Sequence, residues 1–411
     1  MTQSPPTALA GIKVLDLSRV LAGPWCTQML ADLGADVVKV ERPVAGDDTR
    51  HWGPPFLRDE DGNDTREASY FTACNRNKRS ITVDMAHPQG QALLRRMACE
   101  ADVVVENFKV GGLQQYGLDY DSLKQLNPRL IYCSITGFGQ DGPYAERAGY
   151  DLMVQAMCGL MSITGHADGT PGGGPLKAGV AVIDVFTGLY ASNAILAAIN
   201  ARHATGQGQY IDMALLDVGM AVLANQAAGF LATGTAPGRA GNVHPSLAPY
   251  QDFATRDGNV LLAIGNDGQF VRFCAAIGEP GWAQDARFAT NTARVHNRAA
   301  LLALMEPGLR QRSTADWIAL LEDKAVPCGP INTVAQAFAD PQVQARGVRI
   351  ELPRAGGLPA VAGVANPMRL SATPVVYHRA PPALGQHTDE VLEQFGLDSA
   401  RIEALRNAGA I

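Results

Sequence analysis

One carboxylate stands where chemistry could be done. Asp184 closes the apolar run Gly179-Val180-Ala181-Val182-Ile183 and precedes a segment rich in small residues, among them Thr187, Gly188, Ala191, Ser192, Ala194, Ala197 and Ala198. Such a position admits two readings. As an N-cap, Asp184 would take the unpaired amide hydrogens of a first helical turn. As a nucleophile, it would sit at the end of a short strand, with small neighbours letting a ligand approach, and carry a covalent intermediate. Other chemistry-bearing types read more simply. His166 belongs to the turn Gly165-His166-Ala167-Asp168-Gly169, and the methionines of 150–161 read as core filling. The seven cysteines show no C-x-x-C pair, so they read as reduced thiols, and no metal site is expected.

The elements that must position Asp184 follow from periodicity. Ile12–Leu17 reads as a strand, Pro24–Leu33 as a helix with proline in its first turn, and Asp36–Glu41 as a second strand. In this βαβ unit Glu41 stands where a dinucleotide fold carries its ribose acid. The turn Ser18–Pro24 lacks the G-x-G-x-x-G that admits a pyrophosphate, which argues against a nicotinamide cofactor. A long polar loop is expected from Arg42 to Arg66. Strands at Ser80–Asp84, Asp102–Glu106 and Leu130–Thr136 then alternate with helices at His87–Glu100 and Asp121–Leu126. A helix at 150–161 and a strand over Ala178–Ile183 follow, feeding a helix over Val185–Ala201. The alternation implies a mainly parallel sheet, which binds ligands beyond its strand C-termini.

Past 224 the character changes. Thr233–Gly238 reads as a linker, and Asp252–Ile264 as a hairpin around Asp257-Gly258. Helices follow at Ala299–Gln311, interrupted at Pro307-Gly308, and at Thr314–Lys324. Pro327–Asn332 turns the chain back, and a last helix is expected to be capped by Thr388 or Asp389. The division predicted is a large domain from 1–224 and 330–411, with a smaller α+β domain at 225–329.

With 411 residues and 46% hydrophobic content, the chain can bury a core of two or three domains. A net charge of −6 gives no electrostatic reason to bind nucleic acid. No basic-then-apolar leader opens the sequence and no run of about 18 apolar residues interrupts it, so the expectation is a cytoplasmic protein without membrane association.

Six motifs, in order, resemble the class III CoA-transferases typified by formyl-CoA transferase and carnitine CoA-transferase. They are LDLSRVLAGPWCTQMLADLGADVVKVERP (15–43), NKRSITVDM (77–85), DVVVENF (102–108), SITGFGQDGPY (134–144), AGYD (148–151) and HTDEVL (387–392). The resemblance spans nearly the whole chain. It implies a Rossmann-like large domain with a parallel sheet, a smaller α+β domain, and two subunits interlocked as rings in a homodimer. It also implies that Asp184 is the nucleophile. Carried over by position, the CoA site would comprise Val20 and Ala22, Arg42, Val83 and Ala86, Asn107, Phe108 and Lys109, Arg147, Tyr150 and Asp151. A guanidinium at Arg42 suits phosphate or adenine, since it both forks and stacks.

The departures carry information too. Ala86 and Gln115 stand where formyl-CoA transferase has basic residues, so Arg79, Lys109 or Arg147 would supply phosphate contacts. Leu21 replaces a substrate-side glutamine, and the glycine-repeat loop is missing, which argues against formyl-CoA and oxalate. GNVHPSLAPY (241–250) and AIGNDGQF (263–270) resemble the branch using succinyl-CoA and dicarboxylates, including glutarate. Arg50, Arg76 and His244 are then candidates for the distal carboxylate. The resemblance implies CoA as a substrate, with no resident cofactor, and transfer through an aspartyl anhydride and an aspartyl-CoA thioester. A related racemase would need the histidine that Tyr150 replaces here, and a phenol is a poor base at neutral pH. A CoA-binding protein without turnover is the third reading, against which the intact Asp184 speaks.

Overall fold

The computed structural model describes residues 6–354 and 358–411. Six strands build its main sheet: β1 (Lys13–Asp16), β2 (Asp36–Glu41), β3 (Lys78–Thr82), β4 (Val103–Glu106), β5 (Ile131–Thr136) and β6 (Tyr210–Ala214). They lie in the order β3-β2-β1-β4-β5-β6, and every neighbouring pair is parallel. Val14 of β1 is in register with Val37 on one side and Val103 on the other. Strands covered on both faces need apolar side chains at successive positions, and Val103, Val104 and Val105 are all fully buried.

Helices cover both faces. One core joins β1, β2 and β4 to α3 (Pro88–Glu100) through Leu93, Leu94 and Met97. The other joins them to α1 (Ala22–Asp32) and to the long α6 (Val182–Thr205) through Cys26, Leu30, Ile183, Ala191 and Ile195. The shorter α2 (Ser69–Thr72), α4 (Tyr120–Leu126) and α5 (Asp151–Met157) connect the strands, and α7 (Leu215–Val222) and α8 (Ala224–Thr233) follow β6. By length and composition α6 is apolar enough to cross a membrane. The structure uses it as a core helix: Gly188 lies so close to α1 that a Cβ there would stand 2.8 Å from the Ala22 carbonyl oxygen.

The chain divides into two compact units, Met1–Leu160 with Ala178–Gly234 and Gln344–Ile411, and Met161–Lys177 with Thr235–Val343. Within the second, β7 (Tyr250–Ala254), β8 (Asn259–Ala263) and β9 (Cys328–Pro330) form an antiparallel sheet. Among its helices are α9 (Asp267–Ala276), α10 (Asn291–His296), α11 (Arg298–Leu309) and α12 (Thr314–Asp323). Their core holds Phe270, Phe273, Phe288 and Trp317. The first unit is completed by α13 (Thr388–Gln394) and α14 (Ser399–Asn407), which add Val391, Leu392, Ile402 and Leu405 to the α3 core.

Several local expectations are corrected. Ala178–Ile183 is not a strand, because the slot beside β5 is taken by β6, and helix begins at Val182. The polar loop after Glu41 contains a 3-10 turn at Asp48–His51 and a hairpin of Phe56–Arg58 with Asp64–Ala68. The methionine-rich helix stops at Met157, before Gly159 at φ 92°. The segment 161–177 joins the second unit, where the Gly241 amide donates to the Gly165 carbonyl at 3.0 Å. The break expected at 224 falls after Gly234, because α8 runs on to a left-handed glycine. Position 387, not Thr388 or Asp389, precedes α13; the Thr388 hydroxyl donates instead to the Gly385 carbonyl at 2.9 Å.

Candidate active site

In a sheet of this order, β1 and β4 lead away in opposite directions, and the crevice beyond their C-termini is the natural ligand site. The turn after β1 enters it in a strained conformation. Val20 adopts φ 71°, a left-handed value that costs a β-branched residue about 1–3 kcal/mol. The surroundings hold it there. Both Asp47 carboxylate oxygens accept the Val20 amide at 3.3 Å. Asn107 brackets the preceding residue, accepting from the Arg19 amide at 2.8 Å and donating to its carbonyl at 2.6 Å.

Beneath this turn lies a wholly buried set of charges. Lys39 Nζ donates to Asp47 and to the Ser18 carbonyl, each at 2.9 Å. Lys78 Nζ donates to Asp16 at 3.1 Å and to Asn75 and the Pro24 carbonyl at 2.9 Å. Burial opposes the Asp47 carboxylate, but Lys39 and the Thr49 amide hold its pKa down to about 2. Two lysines thus neutralise two aspartates in a dry interior, which only full hydrogen bonding makes tolerable.

A cavity of about 290 Å³ opens at this end of the sheet, lined by Arg19, Arg42, Val83, Ala86, Phe108 and Tyr116 among others. Arg42 is exposed and has no ion-pair partner among the described residues. Of the residues assigned to CoA, Arg42, Val83, Ala86 and Phe108 meet in this cavity, and Val20, Ala22 and Asn107 shape the turn beside it. Lys109 is exposed and outside the lining. Arg147 lies on an exposed loop, its guanidinium 4.5 Å from the Tyr144 ring centroid and 5.4 Å from that of Phe138. Tyr150 is 66% exposed at the start of α5.

Asp184 is the third residue of α6, not its cap. The cap position belongs to Ala181, which offers no side-chain bond. The first-turn amides go elsewhere: Asp151 Oδ1 accepts from Ile183 at 2.8 Å and from Asp184 itself at 3.1 Å. Gln155 steadies Asp151 at 2.5 Å through its amide nitrogen and accepts the Ala178 amide at 2.9 Å. The Asp184 carboxylate, partly buried, receives no hydrogen bond from the described residues. Burial, and then the charge of Asp151, raise its pKa to about 7. Tyr70 of α2 shares this environment: burial and then Asp184 push its phenol up to about 12.

Three of the cations expected to meet substrate prove unavailable, because acids inside the first unit already hold them. Arg50 forks onto Glu41 with two bonds of 2.7 Å and stacks 3.7 Å from the Phe71 centroid. Arg76 forks onto buried Asp32 at 2.9 and 2.5 Å. Arg79 pairs with Asp36 at the N-terminal end of β2, away from the crevice. His244 belongs to the second unit, where its Nδ1 accepts the Ser246 amide at 3.0 Å. Conversely, Arg19, Asp47 and Tyr70 are site residues that periodicity could not find, since each acts through contacts distant in sequence.

The chain matches the description CoA-transferase family III over residues 9–388. The chain belongs to that family. This family III transferase is 53% identical to the succinate–glutarate CoA-transferase of Agrobacterium fabrum, over 96% of each chain. It is 41% identical to the human succinyl-CoA:glutarate CoA-transferase, covering 98% of this chain and 90% of the relative. An acetyl-CoA:oxalate CoA-transferase of Acetobacter aceti is 36% identical over 98% of this chain and all, 100%, of its own. Among solved structures, a CAIB/BAIF family protein from Brucella suis superposes with a TM-score of 0.84 at 53% identity, covering 95% of this chain and 99% of that one. The protein is therefore a CoA-transferase with a mixed α/β fold, acting on CoA thioesters.

Proposed function

We propose that this enzyme transfers CoA from succinyl-CoA to a small dicarboxylic acid, glutarate foremost, through covalent intermediates on Asp184. The observation that carries the reading is the idle carboxylate: Asp184 stands in the first turn of α6, yet its oxygens accept no hydrogen bond from the described residues. The names of the relatives supply the donor and acceptor class. A carboxylate oxygen of Asp184 attacks the thioester carbonyl; a C–O bond forms, the C–S bond breaks, and the electron pair leaves on the CoA sulfur. That thiolate then attacks the aspartyl carbonyl, forming an enzyme thioester and expelling succinate. The acceptor carboxylate reverses both steps. No net proton or electron is exchanged, and carboxylate catalysis splits one transfer into easier ones.

The CoA moiety is assigned to the cavity at the β1–β4 crevice, with Arg42 on its phosphates. The working form is proposed to be a cytoplasmic homodimer. Supporting it, α5 to α8 leave large apolar side chains in the open, with Leu231 82% exposed and Met220 49%. Large apolar side chains left exposed on successive helices are surface that a second subunit would bury.

The test incubates the protein with succinyl-CoA and a panel of carboxylic acids and detects new acyl-CoA species by mass spectrometry, with Asp184→Ala alongside. Glutaryl-CoA made only by the unaltered protein is the expected result. Absence of exchange with every acid would overturn the reading.

A further inference from the structure

We propose that Asp151 is a positioning residue for the nucleophile: by capping α6 from the neighbouring helix, it keeps the Asp184 carboxylate off its own helix terminus and basic. This rests on the reading of Asp184 as nucleophile.

The geometry is specific. A helix start carries about half a positive charge, and an acid in its first turn is ordinarily held ionised there. Here the amides that would do so are bonded to Asp151 Oδ1, at 2.8 Å from Ile183 and 3.1 Å from Asp184. Gln155 fixes the other Asp151 oxygen at 2.5 Å. Asp151 thus removes the donors that would have made Asp184 a weak base, and adds a like charge beside it. Of the elements packed on α6, α1 carries Cys26 and Asp32, α7 Asp217, β5 Tyr132 and Cys133, and β6 Tyr210 and Asp212. Burial is the first influence on Asp184; among the charged groups of these elements and α5, Asp151 alone adds to it, and Tyr70 of α2 responds to Asp184 in turn.

Basicity has a chemical consequence beyond attack. In the mixed anhydride the thiolate can expel either carboxylate. Returning to substrate requires Asp184 to leave; going forward requires succinate to leave, an ordinary acid of pKa about 4. The more basic Asp184 is the poorer leaving group, so the anhydride breaks forward to the enzyme thioester.

Asp151→Asn tests this, because it keeps an acceptor for the two amides and removes the charge. Two readouts are taken: the titration of the Asp184 carboxyl in the resting protein by 13C NMR, assigned with Asp184→Asn, and the pH dependence of enzyme–CoA adduct formation in a single turnover with succinyl-CoA. The expected result is that Asp184 becomes about tenfold more acidic and that the rate profile moves to lower pH by the same amount. A lower rate at every pH with an unmoved midpoint would make Asp151 merely structural and overturn the proposal. Should Asp151→Asn not fold, Asp151→Glu keeps the charge: an unmoved midpoint there supports the proposal, and a midpoint lowered tenfold sinks it. A moved NMR midpoint without adduct in either protein would instead count against the transfer mechanism.

Discussion

Asp184 is a carboxylate that its own helix does not use, and its neighbours set its proton affinity. Because adduct formation needs the ionised form, its single-turnover rate should climb with pH through a midpoint near the pKa of about 7. A flat profile between pH 5 and 9 would contradict this. Arg42 makes a separate prediction. No acid among the described residues pairs with its guanidinium, which is exposed at the cavity, and Arg42→Gln should raise KM for succinyl-CoA about tenfold with kcat little changed, the loss of one charge-assisted bond. Initial-rate kinetics checks the split. At this scale Asp184 was visible in the sequence as an acid in apolar company, but Asp151 as its neighbour was not. Asp151 and Asp184 are brought together only by tertiary packing, as are Arg50 with Glu41 and Arg76 with Asp32.

At the scale of elements, the crossing of α1 and α6 and the turn after β1 are the sensitive places. A methyl group at Gly188 would meet the Ala22 carbonyl at 2.8 Å and Trp25 Cβ at 3.0 Å, so Gly188→Ala must push the helices apart. It should cost about 1–3 kcal/mol in denaturant unfolding. Asp47→Ala should cost more, about 3–5 kcal/mol, because it strands the Lys39 charge in a dry interior and releases Val20. Equal stability of either variant and the unaltered protein would refute these assignments. The βαβ alternation and the hairpin at β7 and β8 were readable because buried parallel strands and Asp-Gly turns leave local marks. The run before Asp184 misled because a short apolar stretch suits a strand and a buried helix start alike, and competition for the sheet edge decided between them.

For the whole molecule, two groups of carboxyls pull stability in opposite directions with pH. Burial opposes Glu41 and Asp47, yet Arg50 and Lys39 hold both below the ordinary range, so their contribution is present above pH 4 and lost as pH falls toward 2. Burial raises Asp184 and Glu106 to about 7; they favour the fold when protonated, and that contribution is lost as pH rises from 4 through 7. Tm should therefore peak on the acidic side of neutrality, at roughly pH 5, and Asp184→Asn should flatten the alkaline limb. A thermal-shift series from pH 3 to 9 checks both.

The placement of the thiols adds a measure of time. Cys99 is exposed, whereas Cys26, Cys74 and Cys133 are sealed, and the Cys74 thiol lies 3.8 Å from the carbonyl oxygen of strained Val20. A small disulfide reagent should therefore mark Cys99 at once and reach Cys74 only when the turn over it lifts. The slow phase of labelling then serves as a clock for the breathing of that turn. Saturating CoA should slow it, letting ligand residence at the crevice be timed without any turnover.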